Sequence, residues 1–237
     1  EPVGGAPTGW IARWETDVFA PQSTLAVGGG LLRAQGAVAR DLMRDRNGGV
    51  YLRGFALMAF AASALYGAIL VAFSGPQQML FSALKFPLVV LGSCAICLPG
   101  FHVFNALLGA RITLRQSANA VLMLAAAAGL ILLACAPVVW FFSLSTDDGA
   151  RGFMAALHLL TLGAATAFGI GLLWRVKRYA HHKDGTPLIH GRVLVLWLGV
   201  FLAVAAQLAH YLGPLVSSGE FFTGERGFFV TALFRPD

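Results

Sequence analysis

Long apolar stretches separated by short polar loops run through most of this chain, from residue 53 to residue 214. Only 12% of the residues are charged and 57% are hydrophobic, whereas a soluble domain carries about 25% charged residues. So few charges could not cover a water-facing surface, but a bilayer removes that demand because lipid surrounds the apolar side chains. The sequence therefore predicts an all-α integral membrane protein.

A helix needs roughly 20 apolar residues to cross about 30 Å of hydrocarbon. The apolar stretches predict a bundle of five transmembrane helices, which cover residues 54–74, 86–110, 120–144, 153–174 and 193–212. This interpretation divides the chain into an N-terminal segment (1–52), a transmembrane domain (53–214) and a phenylalanine-rich tail (215–237).

Lysine and arginine fall mostly on alternate loops, with 13 on one side of the predicted bundle and 4 on the other. Because cytoplasmic loops carry an excess of basic residues, this bias predicts a cytoplasmic N-terminus and an external C-terminus. We expect a multi-pass protein of a bacterial-type inner membrane. The net charge of +6 is explained by these loops and by anionic lipid. It does not indicate nucleic-acid binding, because the basic stretches lack interleaved stacking aromatic residues.

The N-terminal segment contains a stretch with helical periodicity, residues 31–45. Arg33, Arg40 and Arg44 fall within about 40° of one another on a helix, and apolar side chains lie nearly opposite. This pattern predicts an amphipathic interfacial helix that lies on an anionic cytoplasmic leaflet through its arginines. The alternative is a helix that packs on the loops of the bundle itself.

A C-x-x-C pair, Cys94 and Cys97, lies in the second span, and Cys135 lies in the third. Membrane thiol oxidoreductases use such pairs, but they also need external cysteines, and this chain has none outside its spans. The reactive thiolate is also hard to form in hydrocarbon. We therefore expect packing cysteines and no enzymatic activity, with thiol redox chemistry as a minor alternative.

His102 and Asn105 share one face of the second span, one turn after Pro99. Proline kinks a helix, and a kink beside polar side chains can form the ligand site of a transporter. The alternative is that both polar residues form hydrogen bonds across helices and fix their packing.

Histidines in three spans are candidate cofactor ligands: His158, His210 and His102. Two imidazoles at one depth on different helices could ligate a haem or a chlorophyll, with Thr161 or Gln207 holding the other ring nitrogen. Histidines near an interface also simply reach headgroup water. No Asp or Glu lies within a predicted span, which argues against a proton-coupled pump.

Small residues recur at four-residue spacing in the fourth span, at Gly163, Ala167 and Gly171. Such spacing lets a second helix approach closely, either inside the monomer or in an oligomer. The tail contains paired phenylalanines that would be costly in water, so we expect them to lie at the outer interface, to pack on the bundle or to dock on a partner. They are Phe221, Phe222, Phe228 and Phe229.

The plan of five spans after a cytoplasmic segment resembles that of Yip1-type membrane proteins and related bacterial inner-membrane proteins. The resemblance covers roughly residues 54–212 and is carried by KFP at 85–87, CLPGFHVFNALLG at 97–109 and APVVWFFS at 136–143. It implies a membrane-organising or adaptor role without catalysis, and it carries over no active-site residues.

Together these patterns predict a non-enzymatic membrane subunit that anchors or organises a larger complex. Its partners would be the lipid bilayer and other membrane proteins or further copies of the chain. A haem- or chlorophyll-binding subunit and a small-solute transporter remain the alternatives.

Overall fold

The structure is a computed structural model that describes residues 9–21, 23, 26–71, 76–145, 151–184 and 191–212. These residues form helices and connecting turns, without a strand among them. The helices are α1 (Gly9–Thr16), α2 (Ala26–Arg33), α3 (Gln35–Met43), α4 (Gly48–Leu70), α5 (Pro76–Leu107), α6 (Leu114–Ser145), α7 (Arg151–Asp184) and α8 (Gly191–Tyr211).

Five of these helices, α4 to α8, are long and apolar enough to cross a membrane, which confirms the predicted fold class. All five begin earlier than the sequence predicts, for example α4 at Gly48 and α6 at Leu114, and α5 and α7 extend furthest beyond the predicted spans. Helix α5 begins at Pro76, so Lys85 lies inside the helix and is buried instead of standing in a loop. Helix α7 continues to Asp184, well past Trp174. Apolar composition detects only the part of a helix that lies in hydrocarbon, so such extensions escape it.

Helix α4 packs against both α5 and α6, while α7 packs on α6 and α8 packs on α5. Gly48 at the start of α4 accepts a hydrogen bond from Asn119 near the start of α6, so these two helices run in parallel. The Trp197 indole in α8 reaches the Cys97 carbonyl in α5, and Gly169 in α7 faces Leu124 in α6, as antiparallel neighbours do. Successive long helices therefore alternate in direction, as five consecutive spans require.

Glycine permits the closest helix contacts in the bundle. A Cβ added at Gly67 of α4 would lie 2.6 Å from the Ser82 carbonyl oxygen and 2.9 Å from Cβ of Phe86, both in α5. A Cβ at Gly169 would lie 2.8 Å from the Leu124 carbonyl oxygen. The backbones of α4 and α5, and of α6 and α7, thus approach each other where a side chain is missing.

The three short helices cover the end of the bundle where α4 and α6 begin, which we call the capped end. The predicted single helix over residues 31–45 is wrong, because the chain breaks at Ala34 between α2 and α3. Helix α3 packs against α1, α6 and α7, and its residues 36–39 and Leu42 are buried. Helix α3 is therefore covered on several sides, which agrees with the alternative of a helix that packs on the bundle itself. Its predicted position at the membrane interface stays a prediction.

The three arginines of the predicted lipid surface have different surroundings. Arg33 and Arg44 are exposed. Arg40 is half-buried, and its guanidinium donates hydrogen bonds to the backbone carbonyls of Trp14 and Asp17. Arg40 therefore holds α1 against α3. Lipid contact of the exposed Arg33 and Arg44 stays a prediction.

Candidate functional site

The cysteine pair lies in the packed interior. Cys94 and Cys97 are 3% and 5% exposed and belong to the main apolar cluster of the bundle. The Cys97 carbonyl accepts a 2.8 Å hydrogen bond from the Trp197 indole, which joins α5 to α8. Cys135 is half-buried in α6. These surroundings are those of packing cysteines, and redox activity stays an untested alternative.

The polar pair after Pro99 also has structural partners. Nδ1 of His102 lies 3.0 Å from the Ser117 hydroxyl oxygen, which links α5 to α6. Asn105 is fully buried and donates a 2.8 Å hydrogen bond to the Phe101 carbonyl of its own helix. The link from His102 to α6 is the cross-helix contact that the packing alternative expects. The sequence did not identify Ser117, although a lone hydroxyl near the start of an apolar span is a usable signal.

A second polar group lies at the end of the bundle opposite the cap. The Tyr66 hydroxyl oxygen of α4 is 3.1 Å from Oγ1 of Thr161 and 3.4 Å from Nδ1 of His158, both in α7. The Thr161 hydroxyl also lies within 3.0 Å of the His158 carbonyl oxygen, three residues earlier. We call these three side chains the Tyr66 cluster. The sequence predicted Thr161 as a partner of the His158 ring, but Thr161 bonds the His158 backbone carbonyl and Nδ1 faces Tyr66. Tyr66 was missed because nothing in the sequence pairs α4 with α7.

The candidate histidines do not form one site. His102 contacts Ser117 at the capped end, where Gly48 begins α4. His158 contacts Tyr66, which lies about 27 Å further along α4 at 1.5 Å per residue. His102 and His158 therefore cannot ligate one tetrapyrrole. His210 lies near the end of α8 that is remote from the cap, so only His158 and His210 lie toward the same end of the bundle.

An apolar cavity of about 310 Å³ lies between α7 and α8, which share at most a marginal contact. Its floor comes from α5 and α6, with Ser63 of α4 at the back. Only Ser63 and Thr166 among its lining residues are polar. Leu162 on one wall and Leu202 on the other are 44% and 49% exposed, so the cavity reaches the outer surface of the bundle. We call it the α7–α8 cleft.

The Tyr66 cluster lies one helical turn beyond this cleft. His158 precedes the lining residue Leu162 by four positions, and Tyr66 follows the lining residue Ser63 by three. Residues three or four apart share a helix face, so the polar cluster continues the walls of the cleft toward the uncapped end. His210 likewise follows Ala206 by four positions. The cleft is therefore apolar along its length and polar at one end.

At the capped end, side chains of α6 hold the α3–α4 connection. Nε2 of Gln116 donates hydrogen bonds to the Leu42 and Met43 carbonyls at the end of α3, where the Leu42 carbonyl also accepts the Asp45 amide. Arg115 forms an ion pair with Asp45 at 2.6 Å. These contacts attach the cap to the membrane domain. Sequence patterns could not pair residues some 70 positions apart.

Helix α7 carries small residues on two faces. Gly169 packs on α6, whereas a Cβ added at Gly163 or Gly171 would have nothing within 4 Å among the described residues. Ala167 is exposed on the same outward face. The predicted stripe is thus not used for packing inside the described monomer. The predicted tail contacts of Phe221, Phe222, Phe228 and Phe229 lie outside the described residues.

Comparisons with known proteins give no relative. No family model, curated protein or solved structure matches the chain. The resemblance to Yip1-type proteins therefore stays a prediction from the sequence.

Proposed function

We propose that this protein is a non-enzymatic membrane subunit that anchors or organises a larger membrane complex, as a Yip1-type plan implies. The observation that supports it is the outward face of α7 with Gly163, Ala167 and Gly171. We call these three residues the α7 stripe. A partner helix that lies on this stripe would approach the α7 backbone as closely as α6 does at Gly169.

The position of α7 in the bundle favours this use. Only 28% of its most apolar window is buried, against 50% for α6, so most of α7 faces outward. In lipid, apolar surface alone does not drive helices together, and association depends on close packing of small side chains. The stripe supplies such packing without any change to the contacts inside the monomer.

Orientation in the membrane completes the proposal. The basic residues predict that the capped end faces the cytoplasm of a bacterial-type inner membrane, with the C-terminus outside. Exposed Arg33 and Arg44 would then meet anionic headgroups on the cytoplasmic leaflet. Labelling of single cysteines introduced at Arg33 and at Asp237, in a chain without its native cysteines, tests this orientation. Equal labelling of both positions in intact cells would contradict it.

Leucine substitutions test the assembly role. The triple variant Gly163→Leu, Ala167→Leu and Gly171→Leu should lose its partner or its own oligomer in mild detergent. The matched control is Gly199→Leu in α8, where an added Cβ also meets nothing within 4 Å but no stripe is present. Native mass spectrometry of the complex provides the measurement.

Two results of this experiment would contradict the proposal. One is that wild-type protein is a monomer without a partner, and the other is that the triple variant assembles as wild type does. The visible spectrum of the same sample tests the alternative of a haem- or chlorophyll-binding subunit through His158 and His210. A Soret-type band that disappears in His158→Ala would favour that alternative.

A further inference from the structure

We infer that the α7–α8 cleft is a binding site for one acyl chain of a lipid, whose polar oxygen atoms lie at the Tyr66 cluster. This site is separate from the α7 stripe and does not depend on the proposed assembly role. It is defined by a cavity, by an opening toward the bilayer and by a polar group at one end.

The size and the lining of the cleft favour an acyl chain over a protein segment. Its volume is about 310 Å³, roughly twice that of an engineered 150 Å³ apolar cavity that binds benzene. It therefore accommodates roughly a dozen carbon atoms by that comparison. A protein segment would also leave backbone N–H and C=O groups unpaired against a lining with only two hydroxyls, whereas an acyl chain has no such groups.

The walls suit a saturated chain. Alanines of α6 and α8, with Gly129, leave the open space, and aromatic rings of Phe86 and Phe201 bound it. The polar lining residue Ser63 costs little, because its hydroxyl already donates to the Ala59 carbonyl of its own helix. The exposed side chains of Leu162 and Leu202 at the surface mark the path by which a chain enters sideways from the bilayer.

The polar end suits the ester or headgroup of the same lipid. In the Tyr66 cluster, the His158 imidazole and the Thr161 hydroxyl lie 3.4 Å and 3.1 Å from the Tyr66 phenol oxygen. His158 is only partly buried, so a ligand oxygen can reach its ring. Tyr66 and Thr161 are only 2% and 8% exposed, so the donor within reach is the imidazole N–H of His158, from which carbonyl and phosphate-ester oxygens accept a hydrogen bond. An amphiphile that places its chain in the cleft and its oxygens one turn further out satisfies both parts of the site.

Photo-crosslinking tests the site directly. The protein is reconstituted in nanodiscs that contain a phosphatidylcholine with a diazirine in one acyl chain, and crosslinked peptides are mapped after illumination. We expect adducts on the peptides of α7 and α8 that line the cleft. Ala206→Phe fills the cleft and should lower these adducts at least fivefold. Ala203→Phe is the matched control, since Ala203 is exposed on the same helix outside the lining.

The polar end has its own variant. His158→Leu should lower, several-fold, the fraction of protein that retains one phospholipid in native mass spectrometry after mild delipidation. If Ala206→Phe does not fold, as judged by circular dichroism, Ala209→Leu replaces it. Equal crosslinking in the filled variant and in wild type would overturn the inference. Adducts spread evenly over the exposed residues of α7 and α8, or a protein peptide found in the cleft, would do the same.

Discussion

The guanidinium of Arg40 in α3 donates a hydrogen bond to the backbone carbonyl of Trp14 in α1, 26 positions earlier in the chain. A second bond from Arg40 reaches the Asp17 carbonyl, and the Asp17 carboxylate accepts a bond from the Gly36 amide. The Trp14 ring in turn packs on Tyr179 of α7, with 5.6 Å between ring centroids. One arginine thus joins α1 to α3, and the Trp14 ring packs on the membrane domain.

Removing this side chain should release α1 from the bundle. Arg40→Ala leaves two carbonyls without their donor, and we expect faster amide hydrogen exchange over residues 9–21 with no change in α4 to α8. Arg40→Lys should rescue only part of the protection, because one ammonium group cannot match the planar fork of the guanidinium. Arg33→Ala is the control, because Arg33 is exposed. Wild-type exchange in Arg40→Ala would show that apolar contacts alone hold the cap.

A single methyl group at Gly67 should separate α4 from α5. Its Cβ would lie 2.6 Å from a backbone oxygen, which cannot move without the helix. We expect Gly67→Ala to destabilise the protein by about 1–3 kcal/mol, as overpacking does. Gly199→Ala has open space and should be neutral or stabilising, since alanine favours a helix. Unfolding in mixed micelles measures both, and equal stability of the two variants would contradict the close packing.

Gln116→Ala should destabilise the protein more than the same substitution at the exposed Gln77. Gln116→Ala leaves the Met43 carbonyl without its donor and the Leu42 carbonyl with the Asp45 amide alone, and Gln116 is only 7% exposed. We expect a loss of about 1–3 kcal/mol, because buried carbonyls without donors are costly. Gln77→Ala, at an exposed position in α5, should change stability by less than about 0.5 kcal/mol. The same micelle assay distinguishes the two, and a neutral Gln116→Ala would mean that water replaces the amide.

The hydroxyl of Tyr66 links α4 to α7, and its removal should have a modest effect. Hydrogen bonds between membrane helices contribute about 0.6 kcal/mol on average and up to about 1.7 kcal/mol. Tyr66→Phe should therefore cost an amount within that range, while the ring contact with Phe86 remains. Tyr211→Phe, at a 46% exposed tyrosine of α8, is the control. A loss well above 2 kcal/mol in the free energy of unfolding would contradict a role limited to the bonds with Thr161 and His158.

The fold class was readable from the sequence because the bilayer imposes a length and a polarity that any spanning helix must meet. Each of the five apolar stretches became a helix for that reason. Helix ends were less readable, since Pro76 and Asp184 lie in polar sequence that no hydrocarbon constrains. The cap was misjudged because helical periodicity predicts a helix face but not the break at Ala34 or the partner that covers the face.

The sequence by itself determined that this chain enters a membrane and crosses it with five helices, because hydrophobicity and length act locally along the chain. The tertiary structure alone decided how the polar residues are used. It separated His102 from His158, joined Tyr66 to α7 and turned the α7 stripe outward while Gly169 packed inward. Those outcomes depend on which helices become neighbours, and contacts between residues as distant as Tyr66 and His158 leave no local pattern in the sequence.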